Sequence, residues 1–175
     1  MKRDGVLIWL LVLLPFLCGC TGRDAEQPME TWGKVTDGLQ MHIWMERQVY
    51  RRGEDIPVSS AFRNCSKSPL QLWQSSFWPN TKVEAWTADG QDAVLTAEGY
   101  LKRRRFSPGG ERDKNFRRTI KPGHVYPIEA IKIDRLFVMA PDTAYFVQFT
   151  YEEKQSEGWI GSVKSNVIRV IVRRK

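Results

Sequence analysis

Apolar and polar residues alternate along much of the chain, a pattern that is typical of half-buried β-strands. In LQMHIWME, residues 39–46, every second residue is apolar, starting with Leu39. In IPVSSAF, residues 56–62, every second residue from Ile56 falls on one face of the predicted strand. Other segments predict further short strands at Leu70–Gln74, Lys82–Thr87, Ala93–Glu98, Phe116–Ile120, Val125–Ile131, Ala144–Tyr151 and Val167–Arg173.

Turns rich in glycine and proline separate these segments, as at Arg52-Gly53, Asp89-Gly90 and Pro122-Gly123. The sequence lacks a convincing amphipathic helix, and we expect helical structure only as a single turn around Asp134 to Phe137. Many short strands joined by such turns are typical of sandwiches and barrels. We therefore predict an all-β fold, an antiparallel β-sandwich of seven to nine strands.

The N-terminal segment has the charge and hydropathy of a secretory signal. Lys2 and Arg3 precede the apolar run VLIWLLVLLPFL, residues 6–17. That run is too short to span a bilayer, because a spanning helix needs about 20 apolar residues. Pro15 would also interrupt a spanning helix. Export is therefore favoured over an ordinary membrane span.

The sequence Leu17-Cys18-Gly19-Cys20 resembles the lipobox of bacterial lipoproteins, in which a small residue precedes a cysteine that is acylated and becomes the mature N-terminus. Gly19 before Cys20 fits this pattern, whereas Leu17 before Cys18 does not. The resemblance implies acyl chains on Cys20 that hold the protein on a membrane of the bacterial cell envelope. By resemblance to the sorting rule of enteric lipoproteins, Thr21 in place of aspartate favours the outer membrane. A plain cleaved signal and an uncleaved apolar anchor are the alternatives.

These features divide the chain into a signal peptide at residues 1–19, a lipidated N-terminus and tether at residues 20–37, and one domain at residues 38–175. The tether is assigned because residues 21–37 are polar and lack periodicity. If Cys20 is acylated, Cys65 is the one remaining thiol, so the mature chain forms no intramolecular disulfide. We expect Cys65 to be small and partly buried, with an intermolecular bridge or a reactive thiol as alternatives.

The segment MAPDTAY, residues 139–145, resembles the tyrosine corner of immunoglobulin-like and fibronectin type III domains. The resemblance implies that the Tyr145 hydroxyl bonds to an upstream backbone group. Asp142 occupies a position where glycine is commoner. The disulfide and core tryptophan spacing of antibody domains are absent, which leaves the wider immunoglobulin-like architecture.

A longer stretch, from GLQMHIWMERQVYRRGEDIPVSSAFRNCSKSPLQL to the closing SNVIRVIV, resembles a broad group of bacterial exported proteins with one immunoglobulin-like domain. That group includes the intracellular proteinase inhibitor type. It implies that Gly53-Glu54 and Asn64 serve turns and strand ends. Most members are functionally uncharacterised, so the resemblance bears on the fold and says little about a ligand.

Basic charge is concentrated between Lys102 and Lys121, which hold nine basic and two acidic residues between them. We expect no nucleic-acid partner, because the chain is exported and no recognition helix or stacking motif accompanies the charges. The segment is predicted to be a hairpin that binds an envelope protein or an anionic lipid surface, or else a solvated loop that guards an edge strand. The candidate binding residues are Arg103, Arg104, Arg105, Arg112, Lys114, Arg117 and Arg118.

The segment LWQSSFWPN, residues 72–80, supplies a second set of candidates in Trp73, Phe77 and Trp78. Aromatic side chains exposed on a rigid sheet are suited to binding protein or sugar, because such residues are enriched at interfaces. The alternative is that these rings belong to the core and to loop packing.

Catalytic and metal-binding patterns are absent from the sequence. Histidine occurs twice, at His42 and His124, with no HExxH, CxxC or GxSxG motif. Glu152 and Glu153 are adjacent on a predicted strand and so point to opposite faces, which is unsuited to paired acid and base work. Ser162 has no local partner that would activate it.

We therefore expect no enzyme activity, no metal and no cofactor. The sequence favours a lipid-anchored cell-envelope protein that acts as a non-catalytic binding or assembly module. One alternative is a proteinase inhibitor that inserts the loop Ser107 to Asp113 into a protease cleft. A second alternative is an envelope hydrolase in which His42 or His124 acts as the base.

Overall fold

The computed structural model describes residues 31–73, 77–108, 116–154 and 157–174 of the 175-residue chain. These residues form ten β-strands, one α-helix and a 3-10 helix at Ile133–Arg135. The fold is all-β, as predicted, with slightly more strands than expected. The elements in chain order are β1 Leu39–Trp44, β2 Val49–Arg51, β3 Pro57–Asn64, β4 Leu70–Trp73, β5 Thr81–Thr87, α1 Ala97–Arg104, β6 Arg117–Ile120, β7 Val125–Lys132, β8 Thr143–Glu153, β9 Gly161–Lys164 and β10 Ile168–Arg173.

The strands form three sheets. One sheet has the order β1-β3-β7, a second has the order β2-β10-β8-β5 with β9 also paired to β8, and β4 pairs with β6. The strand pairs are antiparallel except for β2 and β10, which run parallel over three residue pairs. β2 and β9, of three and four residues, were not predicted from the sequence.

The two larger sheets pack face to face around a common core. Phe62 of β3 and Tyr151 of β8 meet edge to face, with ring centroids 4.9 Å apart. The Tyr151 hydroxyl donates to the backbone carbonyl of Trp73 at 2.9 Å, which ties β4 to the same core. Alternate residues of β8 are buried from Tyr145 to Glu153, so the sequence period of two corresponds to one face against the opposite sheet. The chain therefore folds as a β-sandwich.

The prediction of a strand at Ala93–Glu98 is wrong. Residues 97–104 form α1, and the Thr96 side chain caps it by accepting a hydrogen bond from the Gly99 backbone at 3.0 Å. Threonine before alanine and glutamate favours a helix start, and this local signal outweighs the apolar residues Val94 and Leu95. The single helical turn expected around Asp134 to Phe137 is confirmed as the 3-10 helix at Ile133–Arg135.

The tyrosine corner is confirmed. The backbone N–H of Ala140 donates to the Tyr145 hydroxyl at 2.7 Å. Asp142 has a positive φ of 56°, a left-handed conformation that explains why glycine is commoner at this position. This bond fixes the loop that leads into β8.

Gly53, Glu54 and Asn64 lie at turns and strand ends, as the resemblance implies. Gly53 has a φ of +85°, and the Glu54 carboxylate accepts a hydrogen bond from the Arg51 backbone at 3.0 Å. At the end of β3 the buried Asn64 amide donates to the carbonyls of Ser68 and Ile120, each at 2.8 Å. Asn64 thereby joins the turn after β3 to β6.

Ordered contacts begin before Gly38. The Gly33 backbone donates to the Met41 carbonyl at 2.9 Å, and a Cβ at Gly33 would lie 2.0 Å from the Lys164 carbonyl oxygen. Residues from Thr31 onward therefore pack along β1 and β9. Within the described ranges, no helix has the length and apolar character needed to cross a membrane.

Candidate binding surface around the α1 helix

Backbone contacts on two sides hold α1 against the sandwich. The Thr96 backbone donates to the Leu136 carbonyl at 2.9 Å, and the Thr96 hydroxyl donates to the Arg135 carbonyl. Gly99 packs so closely on Leu136 that a Cβ at this position would lie 2.0 Å from the Leu136 carbonyl oxygen. After the helix, the Ser107 backbone donates to the Pro79 carbonyl at 2.9 Å. These contacts fix the direction in which each side chain of α1 points.

A small groove lies between α1 and β5. Its apolar lining comes from β5, α1's flanking segments and the end of the 3-10 helix. Basic side chains from β5 and α1 surround that apolar surface. The lining residues are Trp78, Thr81, Lys82, Val83, Leu95, Gly99, Lys102, Arg103, Phe106, Leu136 and Phe137.

The basic side chains of the groove differ in their partners. Lys82 is paired with Glu84 of the same strand. Lys102 lies over the Trp78 ring, with the ammonium nitrogen 5.0 Å from the ring centroid, a contact that contributes about 0.5–1 kcal/mol at exposed sites. Arg103 is exposed and forms no ion pair within the described part of the chain. Arg103 therefore offers its guanidinium to a ligand.

The opposite side of α1 exposes a mixture of apolar and basic residues. Tyr100 and Leu101 are 57% and 61% exposed. The Arg104 guanidinium lies 6.0 Å from the centroid of the Tyr100 ring. Arg104 and Arg105 are exposed and, like Arg103, form no ion pair with a carboxylate among the described residues.

The predicted basic hairpin has a different local structure. Lys102 to Arg104 belong to α1, Arg105 is the residue that ends it, and Arg117 and Arg118 lie on β6 opposite Trp73 and Leu72 of β4. Arg112 and Lys114 lie outside the described residues, as does most of the proposed inhibitory loop from Ser107 to Asp113. The basic candidates are thus divided between α1 and β6.

Arg117 is less available than the arginines of α1. Its guanidinium pairs with Glu157 at 2.7 Å. The Arg118 guanidinium is exposed and donates to the Arg117 carbonyl at 3.4 Å. Among the candidates that the structure describes, the basic side chains without an ion pair therefore lie mainly on α1.

The three candidate aromatic residues separate into two groups. Trp73 and Phe77 are buried, and Phe77 packs on Phe149 with ring centroids 5.5 Å apart. The core alternative is therefore correct for Trp73 and Phe77. Trp78 is half-buried and lines the groove under Lys102. One aromatic candidate and two members of the basic segment meet at a single surface.

Sequence reasoning missed the other residues of this surface. Lys82 and Phe106 line the groove, and Tyr100 and Leu101 extend the exposed side of α1. The available signal was the helix start at Thr96, because a helix places residues three and four apart on one face.

Both histidines contact backbone carbonyls, and one also packs between aromatic rings. His42 is buried between the rings of Trp32 and Trp44, with centroids 5.1 Å and 5.4 Å away, and its Nδ1 lies 3.0 Å from the Thr31 carbonyl. His124 is exposed, and its Nδ1 lies 3.0 Å from the Pro122 carbonyl. The contacts described at these two sites do not place a nucleophile next to either imidazole ring.

The two adjacent glutamates considered for catalysis each have a local partner. Glu153 is buried and accepts from the Asn80 amide at 2.7 Å, while Glu152 on the other face pairs with Lys154 at 2.9 Å. Ser162 is exposed on β9. Across the described ranges, no group of three or more His, Cys, Asp or Glu residues is placed to hold a metal ion.

Cys65 is exposed, so the prediction of partial burial is wrong. Its thiol donates to the Gln40 side-chain carbonyl at 2.9 Å. The residue follows Asn64, where the chain leaves β3 and turns to the surface, and alternation within the strand therefore does not apply to it.

The residues with shifted pKa values do not line the groove. The Lys132 ammonium donates to Asp55 and holds the pKa of that carboxyl below its usual value, with Arg135 adding to the effect. The Arg51 backbone N–H and the Arg47 side chain likewise lower the pKa of Glu54. Burial raises the pKa of the Tyr50 hydroxyl. These shifts follow from contacts at the β2 and β7 end of the sandwich.

Comparison with known proteins found no matching family model and no curated protein with significant similarity.

Proposed function

We propose that the protein is a lipid-anchored component of the bacterial cell envelope and acts as a non-catalytic binding module. The signal at residues 1–19, the lipobox resemblance at Cys20 and the resemblance to exported immunoglobulin-like proteins support the location. The observation that carries the binding role is the groove between α1 and β5, because it joins Lys102 and Arg103 to Trp78 on one surface.

The chemistry of this groove favours a protein partner with an acidic segment that includes an apolar side chain. Trp78, Leu95 and Phe106 are half-buried and provide the exposed apolar surface of the groove, and covering that surface favours binding. Arg103 and Lys102 at the edge attract carboxylates, which increases the association rate and the specificity. Arginine and tryptophan are also the residue types most enriched among energetic hot spots.

An anchor in the membrane strengthens such an interaction. A partner in the same membrane meets the module at a high effective concentration, so a groove of modest size is sufficient for occupancy. Such binding needs no catalytic group and no cofactor in the module.

The test is a crosslinking pull-down from intact envelopes with the native chain and two double variants. Lys102→Glu with Arg103→Glu reverses the charge of the groove. Lys34→Glu with Lys67→Glu makes the same change in net charge at exposed residues far along the chain from α1. We expect one crosslinked protein to disappear with the groove variant and to remain with the control.

Two results would contradict the proposal. An unchanged set of crosslinked proteins with the groove variant means that the groove is not an interface. Loss of the same protein with both double variants means that net charge, and not this groove, governs the interaction. Thermal unfolding of both variants confirms that each remains folded.

A further inference from the structure

We propose that the outer face of α1, formed by Ala97, Tyr100, Leu101, Arg104 and Arg105, lies on the surface of an anionic phospholipid bilayer. This inference rests on the proposed lipid anchor but concerns the side of the helix away from the groove. It assigns an orientation to the domain on its membrane.

The geometry of α1 separates two functional faces. Gly99 is buried against Leu136, and Lys102 and Arg103 turn toward the groove. A helix advances by about 100° per residue, so Leu101 and Arg104 project away from Gly99. The two groups of basic residues in α1 therefore face different surroundings.

Exposed apolar residues are concentrated at this helix. Among the large hydrophobic residues that the structure describes as exposed, the four with the highest exposure are Val94 at 68%, Leu101 at 61%, Tyr100 at 57% and Val138 at 55%. Val94 and Val138 belong to the two segments that adjoin α1, and the Val138 backbone donates to the Val94 carbonyl at 2.8 Å. Such a concentration of apolar side chains on an exposed face is typical of an interaction site.

The outer face carries two arginines against the one exposed carboxylate of Glu98, so its net charge complements an anionic bilayer. Arg104 and Arg105 form no ion pair within the described part of the chain, in contrast to Arg117, which is neutralised by Glu157. A basic residue near an anionic membrane surface contributes about 1 kcal/mol. Tyrosine is enriched at the depth of the headgroups, and leucine next to arginine is typical of helices that lie in the interface.

The anchor by itself leaves the orientation of the domain open. Ten residues lie between Cys20 and Thr31, and the eleven steps from one to the other span at most about 40 Å in an extended chain. That distance is close to the diameter of a domain of this size, since its radius of gyration is about 14 Å. Either edge of the sandwich can therefore reach the bilayer, and the outer face of α1 supplies the second contact that selects one.

The test measures protection of a single thiol in the full-length acylated protein on vesicles. Cys65→Ser removes the exposed native thiol, and Ala97→Cys introduces a probe on the outer face without removing Tyr100 or Leu101. The matched control probe is Val49→Cys on β2, where the native residue is also exposed. Each protein is placed on vesicles of phosphatidylcholine with or without phosphatidylglycerol, and the rate of labelling by a membrane-impermeant maleimide is measured.

We expect phosphatidylglycerol to slow labelling at position 97 by at least about fivefold, which corresponds to the contribution of one basic residue near the surface. Labelling at position 49 should not change. High salt should restore labelling at position 97, because exposed charges are screened. Adding Arg104→Gln with Arg105→Gln to the probe variant should remove most of the protection, and Leu101→Ser should reduce it.

Equal labelling at position 97 on both kinds of vesicle would overturn the inference. Equal protection at positions 97 and 49 would also overturn it, since protection would then not be specific to α1. The anchor and the groove are tested separately. Mass spectrometry shows whether Cys20 is acylated, and the crosslinking experiment uses only Lys102 and Arg103. If Cys20 carries no acyl chain, the anchor is wrong, and the same chain with Cys18→Ser and Cys20→Ser, added to preformed vesicles, still reports on the outer face through its one introduced thiol.

Discussion

Tyr145 stabilises the start of β8 with a single hydrogen bond. Its hydroxyl accepts from the Ala140 backbone at 2.7 Å while its ring is buried in the core. Tyr145→Phe keeps the ring and removes the acceptor, so we expect the free energy of unfolding to fall by about 1 kcal/mol. Denaturant unfolding measures the difference. Tyr126→Phe is the control, because Tyr126 is half-buried and its hydroxyl forms no described hydrogen bond. This substitution should change the stability much less.

Equal losses for Tyr145→Phe and Tyr126→Phe would contradict a specific role for the corner. The tyrosine corner was predictable because its sequence is short and its hydrogen bond is local. The burial of His42 between two tryptophan rings was not predictable, since Trp32 lies before β1 and its approach depends on how residues 31–33 pack.

Asp55 gives the stability a defined dependence on pH. Lys132 donates to Asp55 at 2.6 Å, and this hydrogen bond keeps the pKa of the carboxyl below its unfolded value. A lowered pKa stabilises the fold above the unfolded pKa of about 3.9, and that stabilisation is lost as the pH falls through the folded pKa. We expect Asp55→Asn to lower the melting temperature slightly at pH 7 and to have no effect once the pH is below both pKa values.

The matched control for this prediction is Asp92→Asn, at an exposed carboxylate that forms no ion pair in the described ranges. Its melting temperature should follow that of the native protein across the same pH series. A constant difference between Asp55→Asn and the native protein at every pH would show that the substitution acts through packing and not through the charge.

At the scale of elements, the position of α1 depends on Gly99. Glycine to alanine in an exposed helix stabilises it by up to about 1 kcal/mol. At Gly99 the added Cβ would lie 2.0 Å from the Leu136 carbonyl oxygen, and backbone cannot move aside easily. We therefore expect Gly99→Ala to destabilise the protein by about 1–3 kcal/mol, as overpacking does. Denaturant unfolding measures this change.

Glu98→Ala is the control, because Glu98 is exposed on the same turn and should change the stability by no more than about 0.5 kcal/mol. Gly99→Ala should also weaken the groove-dependent crosslink, since it displaces Lys102 and Arg103. A stabilising effect of Gly99→Ala would mean that α1 does not pack against Leu136 as described.

The strands were predictable to different degrees. β1, β3 and β8 each have at least six residues, and burial on one face produces a clear alternation over that length. The helix α1 was not predictable from the sequence, because it packs through Gly99 and presents no apolar stripe at helical spacing. Its only strong local signal is the cap at Thr96.

At the scale of the whole molecule, the proposed anchor depends on one residue. Cys20→Ala should remove the acyl chains, so mass spectrometry of the N-terminal region should find no fatty-acid mass on the variant. Cys18→Ala is the matched control and should keep that mass, because Leu17 does not provide the small residue that Cys18 would require. The same fatty-acid mass on both variants would contradict acylation at Cys20.

The sequence by itself determined the all-β class, the tyrosine corner, most strands and the concentration of basic charge between Lys102 and Lys121. These features are local, since alternation, turn residues and charge density are properties of neighbouring positions. The tertiary structure decided that Lys102 meets Trp78, that Arg117 is neutralised by Glu157, and that Trp73 is buried. Such pairings join residues 24 to 40 positions apart or depend on the opposite sheet, so they follow only from how the sheets and α1 pack.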